Sequence, residues 1–139
     1  MPTAPHSRAA DLPVRPGEEP WSPEELKEVR AQLESEAAGL RAEIQLAESQ
    51  IAERLGNSTS DAGDDEADTG SKVYEREQEL ATTERARDLL DLTEQALERI
   101  HEGTYGVCDS CGKPIGKARL MAYPRATLCV ACKQREERR

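Results

Sequence analysis

The segment Cys108-Asp-Ser-Cys111, followed after seventeen residues by Cys129-Val-Ala-Cys132, decides how this 139-residue chain is organised. Each CxxC pair sets two thiolates on one turn, and two such pairs at this separation suit a tetrahedral ion with bonds of about 2.3 Å. Gly112, directly after Cys111, supplies a tight turn that leaves backbone N–H groups free to face sulfur. Four protein ligands leave no open coordination position, so the cofactor expected is one structural Zn2+ held by Cys108, Cys111, Cys129 and Cys132. A pair of redox dithiols is the competing reading, but a thioredoxin-type motif belongs in a βαβ setting that the flanking sequence lacks. His6 and His101 stand outside ligand spacing.

Upstream of the cysteines the pattern is helical. Ser22-Pro23-Glu24-Glu25 is a helix start: Ser22 can accept from the Glu25 N–H, the Glu25 side chain can reach back, and Pro23 sits where no N–H is needed. Trp21, just before it, reads as a staple on the first turn. Leu26, Leu33, Leu40 and Ala47 recur every seven residues, interleaved with Ala37, Ile44 and Ile51. Such a narrow stripe calls for one partner helix along its length. Gly56-Asn57 reads as the helix end.

A second periodic stretch runs from about Ser71 to Glu102, with Val73, Leu80, Thr83, Leu90 and Leu97 on one face and Ala86, Leu89, Ala96 and Ile100 beside them. Two helices of nearly equal length joined by a loop from Asn57 to Gly70 predict an antiparallel hairpin in a monomer. An intermolecular coiled coil shares the periodicity, but Ala37, Ala47 and Thr83 are weak core residues for a zipper. At about 1.5 Å per residue the first helix is expected to reach roughly 50 Å, which holds the loop far from the cysteines.

The expected fold class is therefore mainly α. It comprises a disordered tail (1–20) holding five of the eight prolines, a coiled-coil hairpin (21–102) with an acidic tip (57–70), and a C4 zinc finger with a short basic C-terminal helix (103–139). With 34% charged residues, 36% apolar residues and no Phe, the chain has material for one small domain and a seam-like core. An enzyme pocket lined by large apolar side chains is hard to build from this inventory, and no convergent titratable groups are visible.

A net charge of −9 argues against strong direct DNA binding by the chain as a whole. The charge is unevenly distributed: Gly56 to Gly70 holds five acids and no base, whereas bases outnumber acids from Cys108 onward. No apolar run is long enough to cross a bilayer, and the start Met-Pro-Thr-Ala-Pro-His lacks the order of a secretory signal, which predicts a cytoplasmic protein with no membrane partner. In that reducing compartment the four cysteines are expected to hold metal and not disulfides.

The order helix, acidic loop, helix and four-cysteine knuckle resembles the DksA/TraR family of bacterial transcription regulators over roughly residues 22–139. The most specific part is Gly103-Thr-Tyr-Gly-Val-Cys108-Asp-Ser-Cys111-Gly-Lys-Pro-Ile-Gly-Lys-Ala-Arg119-Leu120, with Tyr123-Pro124 and Leu128-Cys129-Val-Ala-Cys132-Lys133. The resemblance implies a partner, RNA polymerase, whose secondary channel admits the hairpin so that its tip changes promoter-complex stability. The family's tip motif, Asp-x-x-Asp-x-Ala, is matched by Asp65-Glu-Ala-Asp68-Thr-Gly70, with Gly70 in place of alanine. Asp61 and Asp64 offer the same carboxylate spacing, and residues alone would leave such a run a solvated turn. Some members of the family respond to the alarmone ppGpp through basic groups near the finger. Lys133 matches one of those positions, but Leu92 and Tyr123 stand where bases are expected and cannot clamp a tetra-anion, so ppGpp binding is expected to be weak or absent. The alternative function is a zinc-finger module that binds nucleic acid through the basic finger, or a protein-protein adaptor.

Overall fold

The first long helix begins as its sequence dictates. The Ser22 backbone N–H donates to Glu25 Oε1 at 2.9 Å, the Glu25 N–H donates to Ser22 Oγ at 3.1 Å, and Pro23 opens the first turn. The structure, a computed structural model, describes residues 9–58 and 66–138. The described residues form four α-helices in order, α1 (Pro23–Ser58), α2 (Glu66–Glu102), α3 (Lys117–Ala122) and α4 (Val130–Glu137), preceded by a 3-10 turn at Ala9–Asp11. No strand occurs among the described residues; Val107 and Pro114 form an isolated antiparallel bridge. None of the described helices is long and apolar enough to cross a membrane.

The connection between the long helices is shorter than the expected loop from Asn57 to Gly70. α1 continues through Gly56 and Asn57 to Ser58, and α2 already includes Asp68 and Gly70. A single glycine costs a helix only about 1 kcal/mol relative to alanine, less than the cost of nucleating a new helix beyond it, so propagation runs through both glycines.

The chain divides into two units, Met1–Ser35 with Leu92–Arg139 and Glu36–Asp91. The core of the first is built from Leu26, Val29 and Leu33 of α1, Ala96 and Ile100 of α2, and Tyr105, Ile115 and Leu120 of the finger. Leu33 and Leu120 are fully buried. Trp21 does more than staple the first turn: it is 1% exposed, and its ring lies 6.1 Å from that of Tyr105 at a tilt of 54°. The Tyr105 hydroxyl donates to the Pro124 carbonyl at 2.8 Å and so ties the start of the finger to its middle.

Composition predicts a disordered tail over 1–20. Residues 1–8 lie outside the described part, but from Ala9 onward the chain is packed: Ala9 and Leu12 are buried in the same core as Trp21. Proline content lowers the entropy lost on ordering as well as preventing helix, and two apolar side chains with a ready surface suffice to hold such a segment.

In the second unit the two helices run antiparallel. Arg54 pairs with Glu79 and Arg87 with Glu48, so partner numbers rise along α2 as they fall along α1. Among the described residues there, only Ala37, Thr83 and Ala86 are buried, and the Thr83 hydroxyl returns to the Glu79 carbonyl at 2.8 Å. Leu40, Ile44, Ala47, Ile51 and Leu90 are half-buried, as a two-helix seam allows. Val73 and Leu80, expected on the seam, are exposed, because one partner helix covers too narrow a strip to enclose both interleaved series.

Candidate metal centre

The knuckle grows from local backbone geometry. Cys108 N–H donates to the Lys113 carbonyl at 2.9 Å and Gly112 N–H to the Cys108 carbonyl at 3.0 Å, which folds residues 108–113 into a closed turn. Gly112 sits at φ +75°, a conformation that side chains disfavour. Asp109 N–H donates to the Thr127 carbonyl at 2.8 Å, bringing the second CxxC beside the first. Cys129 caps α4, whose first turn carries Cys132 inward.

These contacts bring Cys108, Cys111, Cys129 and Cys132 together, with all four Sγ atoms within 4.8 Å of one another and no disulfide among them. Sulfurs at the corners of a tetrahedron with bonds of about 2.3 Å lie about 3.8 Å apart. The Cys111–Cys129 separation is 3.8 Å. The Cys129 N–H points at Cys108 Sγ at 3.4 Å, and Arg135 Nη2 lies 3.1 Å from Cys132 Sγ. Donor groups aimed at sulfur favour thiolates, which are the metal-binding form.

The thiols do not ionise alike. Burial pushes Cys108 up, but the N–H groups of Cys111, Cys129 and Ser110 outweigh it and bring the thiol down to about 6. The Cys132 N–H foremost, against the effect of burial, lowers Cys129. At Cys111 the Lys113 N–H pulls downward, yet burial and the three neighbouring sulfurs prevail and raise it to about 11. Four sulfurs this close cannot all be anions without a cation between them. The donor set and its spacing fit one structural zinc.

The remaining expected site residues are spread out. Asp65 lies outside the described residues; Asp68 falls in the first turn of α2, and Gly70 follows in the same helix with open space where a Cβ would stand. Lys133 is exposed on α4, its Nζ 4.0 Å from Glu137 Oε1. Tyr123 is 65% exposed with the Arg119 guanidinium 5.7 Å from its ring centre, and Leu92 is half-buried. Arg119 also donates from Nε to the Leu128 carbonyl at 3.0 Å, so it braces the finger.

Sequence reasoning missed Glu18. Its carboxylate accepts the N–H of Lys117 and of Ala118, both at 3.0 Å, and that of Arg15 at 2.8 Å. The signal available was slight: apolar Leu12, Val14 and Trp21 recur in a stretch otherwise marked by proline.

Helix ends that share one core with a four-cysteine knuckle define a structural class, the helical zinc-finger proteins. Residues 103–138 match the family model described as the prokaryotic dksA/traR C4-type zinc finger. The chain is 32% identical over 119 residues to the Escherichia coli (strain K12) protein named RNA polymerase-binding transcription factor DksA, covering 86% of this chain and 76% of that one. It belongs to the DksA/TraR family. A protein of the same name from Caulobacter vibrioides is 47% identical over 75 residues, 54% of this chain; the match spans 53%, about half, of that relative's length. The solved structure of transcription factor DksA2 from Pseudomonas aeruginosa aligns with a TM-score of 0.48 at 37% identity, covering 78% of this chain and 84% of that one.

Proposed function

We propose that this chain is a cytoplasmic regulator of transcription, not an enzyme, that binds RNA polymerase as a monomer through its secondary channel. The observation that carries the reading is the 119-residue match to a protein named for RNA polymerase binding, which is long enough to include most of both the hairpin and the finger. Zinc held by Cys108, Cys111, Cys129 and Cys132 would close the finger, and a filled coordination shell leaves it a structural part with no substrate position. The acidic pair Asp65 and Asp68 acts at the hairpin end, where carboxylates present hydrogen-bond acceptors and negative charge to the polymerase.

The test is transcription and binding with purified polymerase, comparing wild type with Asp65→Asn/Asp68→Asn. The expected result is retained binding with loss of the transcriptional effect. Unchanged transcription by the double variant removes the tip assignment, and absence of binding by the wild type removes the polymerase reading. Affinity for free DNA that falls steeply with salt would instead support the nucleic-acid module.

A further inference from the structure

The segment from Ala9 to Pro20 runs as a strap along the finger, and the finger is shaped to receive it. Ala9 and Leu12 enter the core. A Cβ on Gly106 would come within 3.7 Å of the Pro13 carbonyl oxygen, and a Cβ on Gly116 would stand 3.0 Å from Arg15 Cδ, so the strap backbone and the Arg15 stem lie directly on these two glycines of the finger. Glu18 closes the arrangement: one carboxylate oxygen takes the N–H groups of Arg15 and Lys117, the other that of Ala118. Contacts to an ionised acceptor are the stronger kind of hydrogen bond.

The strap also borders the cysteines. Arg15 and Pro16 form one wall of a cleft of about 660 Å³ whose other lining includes Cys111, Cys129 and Val130. Cys111 is the exposed member of the four and lines this cleft. The chain between the knuckle and α3 is held by Ile115 N–H on the Gly106 carbonyl at 2.8 Å and by Lys117 N–H on Glu18 at 3.0 Å. Removing the carboxylate therefore loosens one end of that segment, which keeps the Lys117–Glu25 ion pair, together with one wall of the cleft. A competing ligand must approach the ion as a protein thiolate departs, so the accessibility of this side sets the rate of exchange more than the equilibrium affinity.

We propose that Glu18 is a positioning residue for the metal centre: it latches the strap against the finger, and the latched strap limits how fast zinc leaves. The inference rests on the zinc reading and is independent of polymerase. The experiment follows transfer of zinc from the full-length, zinc-loaded chain to the chromogenic chelator 4-(2-pyridylazo)resorcinol. Glu18→Ala is expected to speed transfer about tenfold at unchanged zinc stoichiometry, since the latch contacts are charge-assisted. Glu18→Asp, which keeps the charge on a shorter arm, is expected to fall between Glu18→Ala and wild type. Ala86→Gly, which loosens the other unit, serves as the control and is expected to leave the rate near wild type.

Transfer from Glu18→Ala within twofold of wild type overturns the inference alone. So does an equal acceleration by Ala86→Gly at the same loss of melting temperature, because the effect would then be general loosening. A wild-type chain that holds no zinc overturns the metal reading and the latch with it.

Discussion

Glu25 and Lys117, 92 positions apart, meet at 3.0 Å between Oε1 and Nζ, and the same Oε1 accepts the Ser22 N–H that caps α1. One carboxylate thus joins the first turn of the hairpin to the finger. Lys117 lies one residue beyond Gly116 and supplies its own N–H to Glu18, so the cap, the strap and the finger share a single polar junction.

Ser22→Ala is expected to remove the hydroxyl acceptor of the Glu25 N–H and to cost about 1 kcal/mol, as N-cap deletions do. In a chain of this size that lowers the melting temperature by about 4 °C. Thermal unfolding followed by circular dichroism at 222 nm checks it, and an unchanged midpoint means the cap does not contribute.

Acidification is expected to weaken the junction. Glu18 is held below its ordinary value of 4.5, chiefly by the Ala118 N–H, and Glu25 likewise, chiefly by the Ser22 N–H and then the Lys117 ammonium. Carboxylates with lowered values bind protons less readily folded than unfolded, so their stabilisation is fully present above 4.5 and lost as pH falls through the folded values. The gap in melting temperature between wild type and Glu18→Gln/Glu25→Gln is expected to be constant near neutrality and to close below pH 4.5. A gap that does not narrow as pH falls below 4.5 contradicts the assignment.

Removal of the metal is expected to unfold the finger. Structural zinc contributes apparent binding energies of about 10–16 kcal/mol, as large as a small domain's whole stability. Cys108→Ser is expected to purify without zinc, with residues 103–138 losing amide-exchange protection. Elemental analysis with hydrogen exchange decides it; full protection without zinc refutes a structural role.

Burial separates two leucines of α1. Leu33 is fully buried, and Leu33→Ala is expected to cost about 3 kcal/mol through lost contacts and a cavity. Leu46 is 61% exposed, and Leu46→Ala is expected to change stability by less than about 0.5 kcal/mol. Urea denaturation midpoints for the two variants make the comparison, and equal shifts would remove the seam assignment.

Much of this architecture is local and therefore legible in residue order. The CxxC spacing, the Ser22-Pro23-Glu24-Glu25 start and the heptad leucines are set by turns and by a 3.6-residue period, which need no distant partner. The four cysteines and the two long helices follow from them directly. Other features depend on residues far apart in the chain. Glu18 receiving Lys117 and Ala118, Ala9 and Leu12 entering the core, and Val73 and Leu80 left outside the seam could be decided only by tertiary packing. The physical reason is that a proline-rich stretch and an apolar helix face carry no local signal of whether a surface stands ready to cover them; only the folded neighbours supply it.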